Sequence, residues 1–587
     1  MAVTINVGDN WASVFAANPS ETDFIIQSGL HRGQSLPNIT RNGVTFRGED
    51  AKPLPVVNGA TLLASTGWIK VSGVNRWYLD GQTFNPAQFD GNYNPWYKTG
   101  YQRSCENNVV VRFNGVTMAR HRDNITDVNG GNDYYYDYTN DRIYIGVDPA
   151  ITEVEVSTTI YLLTGASNNV TVRGLQIEMY ANPPSSGAIF GRNTSTLSFS
   201  NGWIIERCYV RHCNGDGISM GATMTIRQCL IEECGRFALH SNICNGFIVT
   251  DSVLNDNNFK GFDEGYGAGG LKFSRASKVI FERNKVYDNA GKGIWFDIEN
   301  EDSIIRRNSV YGNTDDGIFI ELDSNRIAVA YNDSRGNGGQ YFGDIRVRTC
   351  ENVDVIENYV RSGSQSDPWT LILNADNRST TRNNRFARND IVLPASNCRW
   401  GENVQDSTNY SGSRFEGNRV YAPTTGGFYQ RKWTSGTSHS SVTFATWQGT
   451  YSYDGAGSIS TSYPSGYTDN PVWPLASLTY KQRLQSLPMG HRIFVLDEAS
   501  GNPAELSAWD TDDKGTIAYT GTMTYQNKAF PDGGSAPRFT NANSNRILLN
   551  NTGSNWLTSL NKNSFTYHVW FAHAAPSGTQ VQRAMQW

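Results

Sequence analysis

The stretch "GIWFDIENEDSIIRRNSVYGNTDDGIFIEL", residues 293–322, states one pattern twice: "GIWFDI" returns 24 residues later as "GIFIEL", with Asp297 answered by Glu321. Working outward, the same pattern recurs as "IIERCYV", "TIRQCLI", "IVTDSVL", "IFERNKV", "IIRRNSV", "AVAYNDS" and "VIENYV", anchored at Cys208, Cys229, Ser252, Asn284, Asn308, Asn332 and Asn358. The anchors are spaced 21, 23, 32, 24, 24 and 26 residues apart. A near-constant period with apolar alternation inside each unit, and Asn or Gly at its corners, predicts a solenoid of short strands in which each unit is one coil.

Alternation also predicts which side chains face inward. Successive residues of a strand point to opposite faces, so Ile294, Phe296, Ile298 and Ile318, Ile320, Leu322 are expected to fill the coil, leaving Trp295, Asp297, Phe319 and Glu321 outward. The anchor asparagines are expected at a sharp corner, hydrogen-bonded along the stack and themselves adopting the turn conformation.

Composition agrees with an all-β chain: of 587 residues 38% are apolar and 18% charged, with 57 Gly and 29 Tyr, as many short strands joined by turns require. A net charge of -5 provides no basic footprint, which argues against nucleic acid or an anionic membrane surface as partner. The chain has no apolar run long enough for membrane insertion, and "MAVTINVGDNWASVF" lacks the features of a signal peptide. Cys208 and Cys229, like Cys213 and Cys234, are one repeat apart, which reads as stacked buried residues and not as disulfides.

Equivalent positions on neighbouring coils lie about 4.8 Å apart. Asp297 and Glu321 each follow their anchor by 13 residues, so they are expected side by side, at a spacing that suits the nucleophile and acid/base of a retaining glycosidase. Around them the repeat places His240, Lys272, Trp295 and Phe319 in one column, and Asn242, Ser274, Asp297, Glu321 and Arg346 in the next, with Arg346 expected beside Glu321 and Arg348 close by. Trp295 and Phe319 serve in this reading as aromatic platforms for a sugar. The long coil adds "NNFKGFDEGYGAGG", with Asp263, Glu264 and Tyr266 at one rim of the expected cleft. No cofactor is called for, with Ca²⁺ the one ion considered, through oxygens of Asp263, Glu264 and Glu299. Against this stands a plain alternative in which the acids only solvate a surface.

The repeats resemble the right-handed parallel β-helix proteins of the pectate-lyase-like superfamily, which includes polysaccharide lyases, glycosidases and phage tailspikes. The run "FIIQSGLHRGQSLPNITRNGVTFRGEDAKPLPVVNGATLL" resembles the opening of such chains. The "GIWFD" and "GIFIE" pair is similar to the acids of β-xylosidase-type β-helix glycosidases, which implies Asp297 as nucleophile and Glu321 as acid/base. The resemblance implies a polysaccharide or cell-surface glycan as partner. A tailspike or tail-fibre component of a virion, assembled as a homotrimer, is the leading expectation. A secreted polysaccharide hydrolase or lyase, and a non-catalytic adhesin or structural β-helix, are the alternatives. A lyase would use Lys272, Arg346 or Arg348 as base and charge neutraliser.

Four regions are expected: 1–165, an N-terminal β-helix cap with a Tyr-rich β insertion; 166–400, the parallel β-helix core; 401–475, a Gly/Ser/Tyr-rich linker or loose β cap; and 476–587, a C-terminal β module. The last resembles an incomplete lectin-like jelly roll of the concanavalin type. "LTYKQRLQSLP" is expected to form one short helix.

Overall fold

The computed structural model describes residues 2–462, except 51, 83–96, 99, 339–341, 364–368, 396, 406–407, 424–428 and 432–439, and the backbone of eight strands between 492 and 583. Up to residue 464 the chain forms one unit. Three long sheets of 15, 13 and 13 strands run through it, and coil after coil contributes one short strand to each. We call them sheets I, II and III, starting with Val3–Ile5, Leu36–Ile39 and Leu30–Arg32. Neighbouring strands pair in parallel along all three, as at Lys272↔Trp295 and Trp295↔Phe319, apart from the last pair of sheet II. The interior is one continuous apolar core, including Ile294, Phe296, Ile318 and Ile320.

Corners decide how this chain turns. At the anchor corner the residue just before each anchor takes the left-handed conformation, as in Arg207, Gln228, Asp251, Arg283, Arg307, Tyr331 and Glu357. The asparagine is thus not the strained residue that its turn preference suggested. It follows the turn and points inward, fully buried. Asn308 shows the pattern: its Nδ2 donates to Asn332 Oδ1 at 2.9 Å and to Phe281 O at 3.0 Å, while its Oδ1 accepts from Asn284 N at 2.9 Å. The column runs from Asn284 through Asn308, Asn332, Asn358, Asn389 and Asn418 to Asp454. A second column stands at the other corner, from Asn257 through Asn289, Asn313 and Asn337 to Asp344. Satisfying each other's amides lets buried polar corners survive inside a core.

Two expectations are corrected here. Ile298 and Leu322 are not interior: each is left-handed and only half-buried, because the strands end at Asp297 and Glu321 and the chain turns at once. Asn300 and Ser324 occupy the inward positions instead. Of the stretch 401–475, expected as a linker or loose β cap, the described residues carry parallel coils as far as Ser458–Ser460. The anchor steps there lengthen to 31, 29 and 36 residues, which removed the periodic signal while the asparagine column continued.

Both ends of the core are closed by a short helix carrying a buried tryptophan: Trp11 on Trp11–Ala17 and Trp447 on Phe444–Gly449. Side-chain caps from Asn10 and Thr443 start these helices. All eight cysteines are free and buried, as the ladder reading requires.

Between Ala60 and Ser157 the chain leaves the stack, and Thr45 pairs directly with Thr171 as if nothing intervened. This insertion forms a four-stranded and a five-stranded sheet with a separate core around Val111, Phe113, Tyr134, Tyr136 and Ile143. A buried ionic knot ties it to the coils: Arg112 donates to Glu155 at 2.6 Å and to Glu178 at 2.8 Å. Burial alone would raise the Glu178 carboxyl, but the Arg112 hydrogen bond and charge reverse this and bring it to about 2. The second unit, from residue 465, shows four antiparallel strand pairs, Arg492–Val495 with Ala504–Ser507 among them. The helix expected at "LTYKQRLQSLP" lies outside the described residues.

Candidate active site

Asp297 is the last residue of the sheet II strand Lys292–Asp297, and Glu321 is the last of the next strand, Ile318–Glu321. The register Trp295↔Phe319 and Phe296↔Ile320 makes the two acids neighbours on the same outer face. They point away from the coil interior as expected, yet each is only 6% exposed.

Cations account for the cover. Lys272 Nζ lies 2.8 Å from Asp297 Oδ2. Arg378 Nη2 donates to Glu321 Oε1 at 2.8 Å, and Arg348 stands 3.9 Å from the same oxygen. Asp376 accepts from both arginines and holds them there. Burial raises the Asp297 carboxyl above the usual carboxylate range; Lys272 opposes this, and the charge of Glu321 adds to it. Burial likewise lowers the Lys272 ammonium, with Asp297 opposing.

The aromatic residues do not form open platforms. Trp295 and Phe319 are 3% and 2% exposed. Lys272 lies 3.6 Å and Lys292 4.5 Å from the centre of the Trp295 ring, and Arg346 covers Phe319 at 4.9 Å. Cations attracted to the ring faces take the place where a sugar was expected to stack. The arginine register is also corrected: Arg348 pairs with Glu321, while Arg346 pairs with Phe319 and reaches Asp316 at 3.2 Å. The step from Phe319 to Arg346 is 27 residues where that from Trp295 to Phe319 is 24, so three added residues ahead of the strand move the register by one outward position from the one the period predicts.

His240 stands in ladder with Lys272, 3.6 Å from the buried Asp216. Burial, and then the charges of Arg236, Lys272 and Arg192, hold it well below the ordinary imidazole value, so it is neutral. Burial lifts Asp216 to about 7, with Arg236 opposing. In the long-coil loop, Asp263 turns back to cap Gly265 N at 2.7 Å. Tyr266 is 58% exposed and contributes its carbonyl to Lys272 at 3.0 Å. Glu299 pairs with Arg275, away from Asp263 and Glu264. Among the described residues no group of three or more His, Cys, Asp or Glu is placed to hold a metal ion.

The structure adds residues that sequence reasoning passed over. Lys292 donates to Asp315 at 2.6 Å and to Glu264 O at 2.9 Å; alternation groups it with the inward Ile294 and Phe296, which hid it. Arg378 and Asp376 come from a turn two coils beyond Glu321, where no periodic signal reaches.

Residues 187–358 match the family model described as "Right handed beta helix region". The chain is a right-handed parallel β-helix protein. A solved structure described as the complex of XylC with xylose is similar over 72% of this chain and 84% of that one, at 14% identity and a TM-score of 0.52. The A-module of Azotobacter vinelandii mannuronan C-5 epimerase AlgE6 is similar over 72% and 93%, at 14% identity and a TM-score of 0.44. Dettilon tailspike protein gp208 is similar over 71% and 66%, at 12% identity and a TM-score of 0.39. No curated protein matches the chain. At these identities the likeness is one of fold, and this β-helix owes its functional reading to its own side chains.

Proposed function

We propose that this β-helix protein hydrolyses a glycosidic bond of a polysaccharide or cell-surface glycan, with retention of configuration, at Asp297 and Glu321. The observation that carries the reading is that the two acids end adjacent strands of one sheet. That spacing is about 4.8 Å, against the roughly 5–5.5 Å used by retaining enzymes. Burial raises the Asp297 carboxyl, and Lys272 at 2.8 Å opposes this and pairs with the ionised form that the nucleophile needs; its oxygen attacks the anomeric carbon as the bond to the leaving oxygen breaks. Glu321 gives its proton to that oxygen, then takes one from the water that releases the sugar. Arg378 must withdraw from Glu321 for the protonated state to form.

The test is reducing-end release from a panel of glycans, followed by azide rescue of Asp297→Gly and Glu321→Ala. Rescue that yields a glycosyl azide of inverted configuration from the first variant, and of retained configuration from the second, confirms the roles. Full activity in both variants rejects the site.

One observation favours a second reading. Lys272 is an ammonium with lowered proton affinity beside an arginine-rich face, as a lyase acting on a uronate requires. Growth of absorbance near 235 nm without hydrolysis would select it. We further propose that the protein is carried on a virion as a homotrimeric tailspike or tail-fibre component and not secreted as a free hydrolase. Sizing in solution tests this, a trimer supporting the spike and a monomer rejecting it.

A further inference from the structure

The coil from Ser252 to Asn284 spans 32 residues where the next spans 24, and the extra length forms a loop that leaves the stack. The loop lies on the insertion: Phe262 pairs antiparallel with Tyr97, Lys98 N donates to Gly261 O at 2.9 Å, and Phe262 and Ala268 bury against Cys105. Lys260 sits beneath it, 1% exposed. Its ammonium donates to Asn107 O of the insertion and to Asn214 Oδ1 of an earlier coil, and reaches Val109 O at 3.4 Å. One buried amine, its proton affinity lowered by burial to about 7, thus joins three separate stretches of chain. Gly235 lies alongside: a Cβ there would meet Asn214 O at 1.9 Å and, less severely, Lys260 Cδ at 2.9 Å.

The far end of the same loop touches the two lysines that cover Trp295, one of which pairs with Asp297. Glu264 O accepts from Lys292 and Tyr266 O from Lys272, the two ammonium groups that lie over Trp295. Thr314 Oγ donates to Glu264 Oε2 at 2.8 Å and secures that end. Each lysine completes its coordination with one carboxylate, Asp315 or Asp297. Where the loop carbonyls stand therefore decides where both charges stand.

We propose that Lys260 is a positioning residue for the acid pair: by pinning the loop to the insertion it fixes the Glu264 and Tyr266 carbonyls, and through them keeps Lys272 on Asp297. Its activity readout rests on the hydrolase reading; its structural readout does not. In Lys260→Met, hydrogen exchange across 261–267 should quicken about tenfold or more while the asparagine columns stay protected. Asp297, facing Lys272, Glu321 and Lys292, should lose its closest cation. The acid limb of the hydrolysis profile should then move up by about one pH unit, with kcat falling more than KM rises.

If Lys260→Met does not fold, Lys98→Met loosens the outer edge of the loop by removing the ion pair to Glu264, and should shift both readouts the same way by less. Unchanged loop exchange, or faster exchange with an unmoved Asp297 titration, overturns the proposal. If the wild type cleaves no glycan, loop exchange and isotope-edited infrared titration of Asp297 still decide it, so failure of the hydrolase reading is told apart from failure of this one.

Discussion

The asparagine column inside the coils and the acid pair on the outer face of sheet II are built by the same repeat, yet they satisfy themselves in opposite ways. An amide carries both donor and acceptor, so Asn284, Asn308 and Asn332 complete one another with only the backbone of the coils beside them. A carboxylate only accepts, so stacking Asp297 on Glu321 produces repulsion that the repeat cannot relieve. Relief is imported instead: Lys272 from the preceding coil, and Arg378 from a turn two coils away. A stacked polar residue that is self-sufficient marks architecture, and one that must recruit partners marks a site worth testing.

The comparison can be broken from the acid side first. Glu321→Gln keeps the shape and removes the proton that the proposed mechanism transfers, so on that reading hydrolysis should fall about 10²–10⁴-fold with thermal stability nearly intact; steady-state rates and a melting curve check both halves. From the other side, Asn308→Asp turns the self-sufficient column into an acid column. It loses the donations to Phe281 O and Asn332 Oδ1 and should cost about 3–5 kcal/mol in denaturant unfolding.

Asp216 sharpens the contrast as a buried acid with no stacked acid beside it. Its folded value of about 7 exceeds that of an unfolded carboxyl, so the folded state holds the proton more tightly. Its stabilisation is therefore complete below the ordinary carboxylate range and is lost as pH rises through about 7. Stability should decline by up to about 1.4 kcal/mol per pH unit across that window. Asp216→Asn should flatten that slope in unfolding curves between acid and neutral pH. The smallest effect belongs to Glu299→Ala, which removes only a surface pair with Arg275 and should change stability by less than about 0.5 kcal/mol.

Much of this was legible in the sequence because a period fixes neighbours. The register of Lys272 with Trp295, Trp295 with Phe319, and hence Asp297 beside Glu321, follows from spacing alone. What period cannot carry is reach. Arg378 arrives from a turn, Glu264 and Tyr266 act through backbone carbonyls of a loop, and the covering of Trp295 depends on where two long lysine side chains come to rest. The end of a strand is also invisible to alternation, which is why Ile298 and Leu322 read as core although the chain had already turned.

The anchor column donates in one direction, from each coil to the next, and finishes on Asp454; the second column does the same until Asn337, whose amide gives to Asp344 of its own coil while the stack continues beyond it. A last member has an incoming donor and nobody to give to, and an acceptor-only side chain fills that role. The stack is thus written with a reading direction and a full stop. A duplicated 24-residue unit with asparagine at its anchor should slot in between two coils of the Asn284–Asn332 run and lengthen the stack by one step, whereas the same unit placed after Asp454 would find no side-chain donor to join.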